Sequence, residues 1–422
     1  MSHLSHIEGF VIRDGKLFFS GCDTVALARD FGTPLWVLSE DLVREKCKKY
    51  CDSFRSHTSK FSVAYAGKAF LTTGFCGLLK SEEMGLDVCS AGELHTAKAA
   101  GFNMDRVLFH GNNKTRMEIS LALRFGVGRF VVDNLHELSL VNQLAKEANL
   151  VQPIFFRVTP GITTHTHHYV QTGHLDTKFG FGIDNGQAEE AIRVSAGLQN
   201  VKLVGLHCHI GSQLFDLSSF KAAIHIVLEF MAKLREFFPK QGLELDLGGG
   251  LGVRYTSEDY PPPIEEYVDT LYMTTQSKTK ELGMEMPFLW VEPGRSIVAP
   301  AGITLYTVGA IKEIPGIRTF LSVDGSMADH PRTALYGSIY CAVLANKVSE
   351  ASPDDILAVF CTGAYHYSMS SNYNRLPRPA VVGLSKGKPR LLVRPETFED
   401  LLRHDENPSL ERGLETANRG NF

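Results

Sequence analysis

Between Ser62 and Val291 the chain repeats one alternation: a short apolar run, then a stretch with helical period. The runs are Ser62–Ala66, Leu86–Cys89, Val107–His110, Phe130–Asp133, Ile154–Val158, Leu203–His209, Leu243–Leu247 and Phe288–Val291. They stand roughly 20–50 residues apart, enough for a helix to cross back and start each strand parallel to the last. Amphipathic stretches fill the gaps at Ala91–Ala100, Met117–Phe125, Leu135–Glu147, Glu189–Ala196 and Phe220–Phe238. Eight strands alternating with helices predict an α/β fold, a closed (β/α)8 TIM-type barrel. A doubly wound open sheet is the competing arrangement.

The flanks follow a different pattern. Phe10–Ile12 and Leu17–Phe19 bracket an Asp-Gly pair and predict a hairpin. After Gly294 the helical period fades, and strand-like runs follow at Ile303–Val308, Thr319–Val323, Ile356–Phe360, Ala380–Val382 and Arg390–Val393. We therefore expect a barrel over residues 36–295 and a β-rich second domain made from both chain ends, 1–35 and 296–422. The polar stretch Asp405–Phe422 is expected to fray.

Charge narrows the function classes. A formal net charge of -4 offers no nucleic-acid or anionic-membrane surface. No apolar run is long enough to span a bilayer, and the N-terminus lacks the order of a signal peptide. Eight cysteines without CxxC pairing or Cys/His metal spacing fit reduced thiols, no metal and a cytoplasmic location.

In a barrel the chemistry sits at the C-terminal ends of the strands, so the residues there are the candidates. They are Lys68; Asp87 and Ser90; His110 to Asn113; Asp133 and Asn134; Arg157; His207, His209 and Ser212; Gly248 to Gly252; and Glu292 to Arg295. A lysine leaving an apolar strand into a barrel mouth is expected to be desolvated, with a lowered pKa suited to Schiff-base chemistry. A loop lysine on the surface is the plainer reading. The glycines Gly248, Gly249 and Gly250 would let backbone N–H groups cradle a phosphate, with Ser212 and Arg295 as further partners; a tight turn is the alternative. Glu292 could face a pyridinium nitrogen and His209 could pack on its ring. Either could instead be structural, as a rim ion pair or a satisfied interior histidine. His207 and His209 are expected on opposite faces of a strand, which argues against their sharing a metal ion. The His-rich stretch 165–168 is read as a loop contact to substrate or solvent.

Longer segments carry a resemblance. They include YAGKAF (65–70), GLDVCSAGEL (85–94), HGNNK (110–114), RVTPGITTHTHHYVQTGHLDTKFGF (157–182), GLHCHIGSQ (205–213), LDLGGGLG (245–252), EPGRSIVAPAG (292–302), VDGSMADHPRTALY (323–336) and GAYHYSMSSNYNRLPRP (363–379). Over nearly the whole chain these resemble the diaminopimelate decarboxylases. That branch belongs to the barrel-type pyridoxal 5'-phosphate (PLP) decarboxylases, with ornithine and arginine decarboxylases and, by fold, alanine racemase. The resemblance implies that Lys68 attaches the cofactor, His209 stacks on its ring and Glu292 pairs with its nitrogen. Ser212, Gly248–Gly250, Gly294, Arg295 and Tyr365 would hold the phosphate. Arg295, Arg332, Tyr336 and Tyr365 would meet an amino-acid substrate. It also implies a homodimer with shared sites, in which Tyr365 approaches the partner subunit's cofactor.

One departure bears on chemistry. The family carries a Cys-Glu-Ser-Gly-Asp type segment whose cysteine returns a proton to the substrate and whose glutamate meets its distal ammonium. Here Leu344 to Lys347 runs through VSEASPDD almost directly into Ile356 to Val359, and the segment is absent. The resemblance therefore implies decarboxylation of meso-diaminopimelate to L-lysine, impaired by this gap. Two other readings stay open: decarboxylation of another diamino acid or carboxy-polyamine, and a PLP-binding homologue without catalysis.

Overall fold

Barrel strands β1–β8 are Phe61–Ala66, Gly85–Val88, Val107–Phe109, Arg129–Val132, Gln152–Thr159, Val201–His207, Glu244–Asp246 and Phe288–Val291. They come from a computed structural model that describes residues 7–162, 178–347 and 350–406. Each pairs in parallel with its sequence neighbour, and β8 returns to β1 with Leu289 opposite Phe61 and Val291 opposite Val63. That last pairing closes the sheet and removes the open-sheet alternative. All eight expected runs overlap a barrel strand. The stretch 165–168 and residues 407–422 lie outside the described residues.

Alternation along the strands sorts side chains between two cores. On β5, Ile154 and Phe156 point outward into the layer shared with the helices, while Phe155 points inward. Inside, Ala64, Leu108, Val131, Phe155, Val204 and Trp290 form a small plug. Below the plug, Arg129 grips Glu244 through Nε and Nη2 at 2.9 and 2.8 Å, and Trp290 Nε1 donates to the same carboxylate at 2.8 Å. Above it, the next inward positions on β7 and β8 are Asp246 and Glu292. The plug thus gives the upper layer a dry floor.

Several polar residues at strand ends start the following helices. Ser90 caps Ala91–Ala99 by accepting from Glu93 N–H, and Asn134 caps Leu135–Glu147 by accepting from Glu137 N–H. Thr115 and Glu118 form a reciprocal capping box at the start of Arg116–Phe125. Ser90 and Asn134, candidates by position, are therefore occupied locally as caps.

The second sheet has seven strands. Leu35–Ser39 lies near its centre, antiparallel to Gly302–Ile314 and parallel to Ala380–Ser385. The hairpin Phe10–Arg13/Lys16–Phe19 turns at Asp14-Gly15, both at positive φ, as its sequence requires. Leu17 and Phe19 cover one face of the sheet beside Val37, Leu305 and Val382, while Trp36 and Leu38 face the barrel side. Among the described residues no helix is long and apolar enough to cross a membrane.

Replacing Phe155 with alanine opens a void in the plug that the closed barrel cannot collapse into. The expected loss is about 3–5 kcal/mol of unfolding free energy by urea titration, against about 1 kcal/mol for Thr115→Ala at the capping box.

Candidate active site

The upper layer of the barrel converges on Glu292. Its Oε1 accepts from His110 Nε2 at 2.6 Å, and its Oε2 from His207 Nε2 at 3.2 Å. These histidines arrive from the ends of β3 and β6, so one carboxylate ties three strands together across the barrel. Burial alone would raise the Glu292 pKa, but His110 and His207 outweigh it and hold the carboxyl well below the usual range. His207 itself is neutral: burial drives its pKa down to about 4, and its buried Nδ1 meets no partner among the described residues. That leaves the proton on Nε2, where it is donated to Glu292. Asp246 completes the layer; burial first, and the nearby Glu292 charge second, push its pKa well up and keep it protonated. His110, His207, Asp246 and Glu292 bring ligand atoms within 4.8 Å of one another.

A cavity of about 210 Å³ sits above this layer. Lys68 reaches it from the short turn Gly67–Ala69 that follows β1. Its pKa departs from expectation. Burial does act to lower it, but the acidic neighbours Asp87, Cys89, Tyr365 and Glu292 outweigh burial and raise it. Position on an apolar strand predicts only the first effect.

His209 lines the same cavity, with Nδ1 accepting from Gly249 N–H at 3.3 Å. Burial, together with the charges of Lys68 and Arg157, holds its pKa well below the ordinary value, so the ring is neutral. His207 and His209 both serve this end of the barrel. Alternate strand positions share a face, so the expectation of opposite faces was wrong.

The glycines are dictated by space. Gly248 sits at φ 63, and a Cβ on Gly249 would lie 2.3 Å from the Glu292 carbonyl oxygen. Gly249, Gly250 and Gly294 line the cavity, while Gly248 stands behind, its carbonyl accepting from Glu292 N–H at 2.7 Å. Beside them Arg295 donates to Ser212 Oγ from Nε and Nη2 at 3.2 and 2.9 Å, and to Tyr255 OH from Nη1 at 2.6 Å.

The β-rich part of the chain supplies the remaining wall. Tyr365 is held at φ 62, its N–H bonded to Ala69 O at 2.8 Å. Its ring lies under Arg295 at 4.9 Å and Arg332 at 5.2 Å. Tyr365 therefore lines the cavity of its own chain, beside its own Lys68. Arg332 and Tyr336 come from the short helix Pro331–Tyr336. The cavity opens into a wider depression of about 660 Å³ that shares Ser212, Arg295, Arg332 and Tyr336. A separate depression of about 420 Å³ shares Leu251 and Ser296 with the site but contains neither Lys68 nor Glu292.

Sequence reasoning overlooked Asp246, Tyr255 and Tyr340. Asp246 sits two places after Glu244 on β7, so the inward alternation marks it. Tyr255 and Tyr340 lie in loops without periodicity. Where the Cys-Glu-Ser segment is expected, the chain closes tightly: Asp355 accepts from Lys347 Nζ and Ser352 N–H at 2.7 Å each, and from Asn346 Nδ2 at 2.8 Å. Residues 346–355 contain no cysteine.

These residues fit pyridoxal phosphate. An amine projects into a cleft, an ionised carboxylate stands at its inner wall, and a side-chain-free glycine cradle lies beside a buried guanidinium. The profile of the family "Pyridoxal-dependent decarboxylase, pyridoxal binding domain" matches residues 40–299. Diaminopimelate decarboxylase of Bacillus methanolicus is 44% identical over 407 residues, covering 90% of this chain and 94% of the relative. That of Bacillus subtilis (strain 168) is 43% identical over 418 residues, covering 93% and 95%. Diaminopimelate decarboxylase from M. jannaschii, solved with L-lysine, superposes with a TM-score of 0.88 at 34% identity, covering 96% of this chain and 99% of that one.

Glu93 yields a prediction. Its Oε2 accepts from Cys89 N–H at 2.6 Å, and burial pushes its pKa from 4.5 up to about 7. A carboxyl raised in the folded state favours folding while protonated, and that contribution fades as pH rises through the folded pKa. Between about pH 4.5 and 7 the stability of the native chain should therefore fall relative to Glu93→Gln. Parallel urea curves for the two proteins, with a pH-independent difference, would remove the account.

Proposed function

Because this chain belongs to the pyridoxal-dependent decarboxylases, in the diaminopimelate decarboxylase family, we propose that it converts meso-diaminopimelate to L-lysine and CO2. The observation that carries the reading is the convergence of Lys68, Glu292 and two buried arginines on one cavity. Pyridoxal phosphate, when bound, supplies an aldehyde to an amine and a ring that takes up the electron pair of the broken Cα–carboxylate bond.

The chain's own groups do the rest. Lys68 Nζ supplies the amine that tethers the cofactor. Glu292 holds a fixed negative charge where a ring nitrogen would need one to stay protonated. His209, being neutral, packs against a ring without opposing that charge. Ser212, Gly249, Gly250, Gly294 and Arg295 offer phosphate donors, with Gly248 shaping the turn and Tyr365 beneath the guanidinium. Arg332 and Tyr336 face the retained carboxylate of the substrate.

The proton returned to the α-carbon must come from elsewhere than the missing cysteine. Lys68 Nζ is the candidate, because its acidic neighbours keep it protonated until it is used. We further propose a cytoplasmic homodimer. A second substrate, another diamino acid or a carboxy-polyamine, is favoured by one feature: the short connection lacks the family's Cys-Glu-Ser glutamate, and its Asp355 is already paired with Lys347.

The direct test supplies purified protein with PLP and meso-diaminopimelate and quantifies CO2 and lysine together. Equal amounts of both are expected, with borohydride reduction tagging Lys68. Lysine-free turnover, or a tag elsewhere, overturns the reading. Grafting a Cys-Glu-Ser-Gly-Asp type segment between Lys347 and Ile356 should raise kcat, at most by the ~10²–10⁴-fold a positioned acid contributes. An unchanged kcat in a folded graft would count against the impairment attributed to the gap.

A further inference from the structure

Two arginines line the cavity wall, and they are bonded differently. Arg295 commits Nε, Nη1 and Nη2 to Ser212 and Tyr255. Arg332, only 8% exposed, commits Nε alone, to Tyr340 OH at 3.1 Å. Among the described residues its Nη1 and Nη2 meet no acceptor, and no acid pairs with it. A buried guanidinium with its terminal edge bare is shaped to take a carboxylate through two parallel hydrogen bonds. Such a pair forms only if the plane is already aimed, since the guanidinium can turn about its own stem.

Tyr340 does the aiming. The rings of Tyr336 and Tyr365 lie 5.0 and 5.2 Å from the guanidinium and leave its rotation loosely set. The Nε contact is the directional one. Tyr340 is itself locked from three sides: its ring meets Tyr255 at 5.2 Å, His330 at 4.7 Å and His366 at 5.2 Å, each near edge-on. Tyr255 in turn holds Arg295, so Tyr340 stands between the two arginines. Burial keeps both histidines neutral, driving His330 down to about 4 and holding His366 well below its ordinary value. They therefore pack against Tyr340 as rings and place no positive charge beside Arg332.

We propose that Tyr340 is a specificity-determining positioning residue: by holding Arg332 through Nε, it presents the Nη1/Nη2 edge and selects amines that carry a carboxylate at the end away from the reacting amine. This rests on the reading above only for the substrate class. It predicts discrimination between two ligands of the same length, L-lysine and cadaverine, which differ by that carboxylate.

The experiment compares the holoenzyme with its Tyr340→Phe variant, which loses one oxygen and keeps the ring. Binding of each ligand is measured by calorimetry, and PLP affinity by absorbance. The native protein should prefer L-lysine. In Tyr340→Phe, lysine affinity should fall about ten- to a hundredfold, the scale of a lost bidentate charged contact, while cadaverine and PLP affinities stay within about twofold. The KM for meso-diaminopimelate should rise by a similar factor with kcat little changed.

A merely structural role would weaken both ligands together. Equal losses, or no loss, overturn the proposal, as does a native protein that does not prefer lysine. In an Arg332→Ala background, adding Tyr340→Phe should cost nothing further, and an additive loss also overturns it. If the ligand discrimination holds but diaminopimelate yields no lysine, the proposed reaction fails and this inference stands.

Discussion

The site depends on one carboxylate kept ionised inside a protein. Glu292 is buried at the mouth of the barrel, where an isolated charge would protonate rather than persist. Two imidazole N–H groups, from the ends of β3 and β6, hold it ionised. Barrel closure is what makes this possible, because those strands lie across the barrel from β8. In an open sheet, strands so far apart in order would not converge on one point. The fold is thus a means of bringing distant donors to a single anion. The plug of Phe155, Leu108 and Trp290 underneath keeps water from relieving the arrangement.

That anion also shapes what surrounds it. Asp246 stays protonated beside it and His207 stays neutral. Lys68 stays charged, with Asp87 the larger influence and Glu292 a smaller one. The cavity is therefore lined by a cation, an anion and a neutral histidine. A cofactor that needs its ring nitrogen protonated finds the carboxylate in place, while its aldehyde meets an amine only once the Lys68 ammonium has given up its proton.

The barrel half of this was legible in the sequence, and the reasons are physical. Strand alternation fixes which residues point inward, and strand ends fix which of those reach the mouth. Lys68, His209, Gly249 and Glu292 could be placed by those rules, and the glycine run by the need for backbone to pass close to Glu292. Charge balance could not be read the same way. The pKa of Lys68 turns on Asp87 and Cys89 from the end of β2 and on Tyr365 from the β-rich part, two segments far apart in the chain. Tyr255 and Tyr340 escaped notice because loop residues carry no period. Tyr365 was recognised only by resemblance, since the bond from its N–H to Ala69 that places it beside Lys68 is invisible in a linear string.

The two halves of the site answer to different parts of the chain. Lys68, His209, Gly249 and Glu292 hang on barrel strands, whose positions are fixed by closure and by the packed interior. Arg332, Tyr336, Tyr340 and Tyr365 hang on connections of the β-rich part, held by aromatic edges and single hydrogen bonds. A change in length there, such as the tight closure through Asp355, leaves the barrel's hydrogen bonding untouched. Cofactor chemistry and substrate choice can therefore vary separately in this architecture. The short connection through Asp355 belongs to the β-rich part, and the anion between two histidines is built without it.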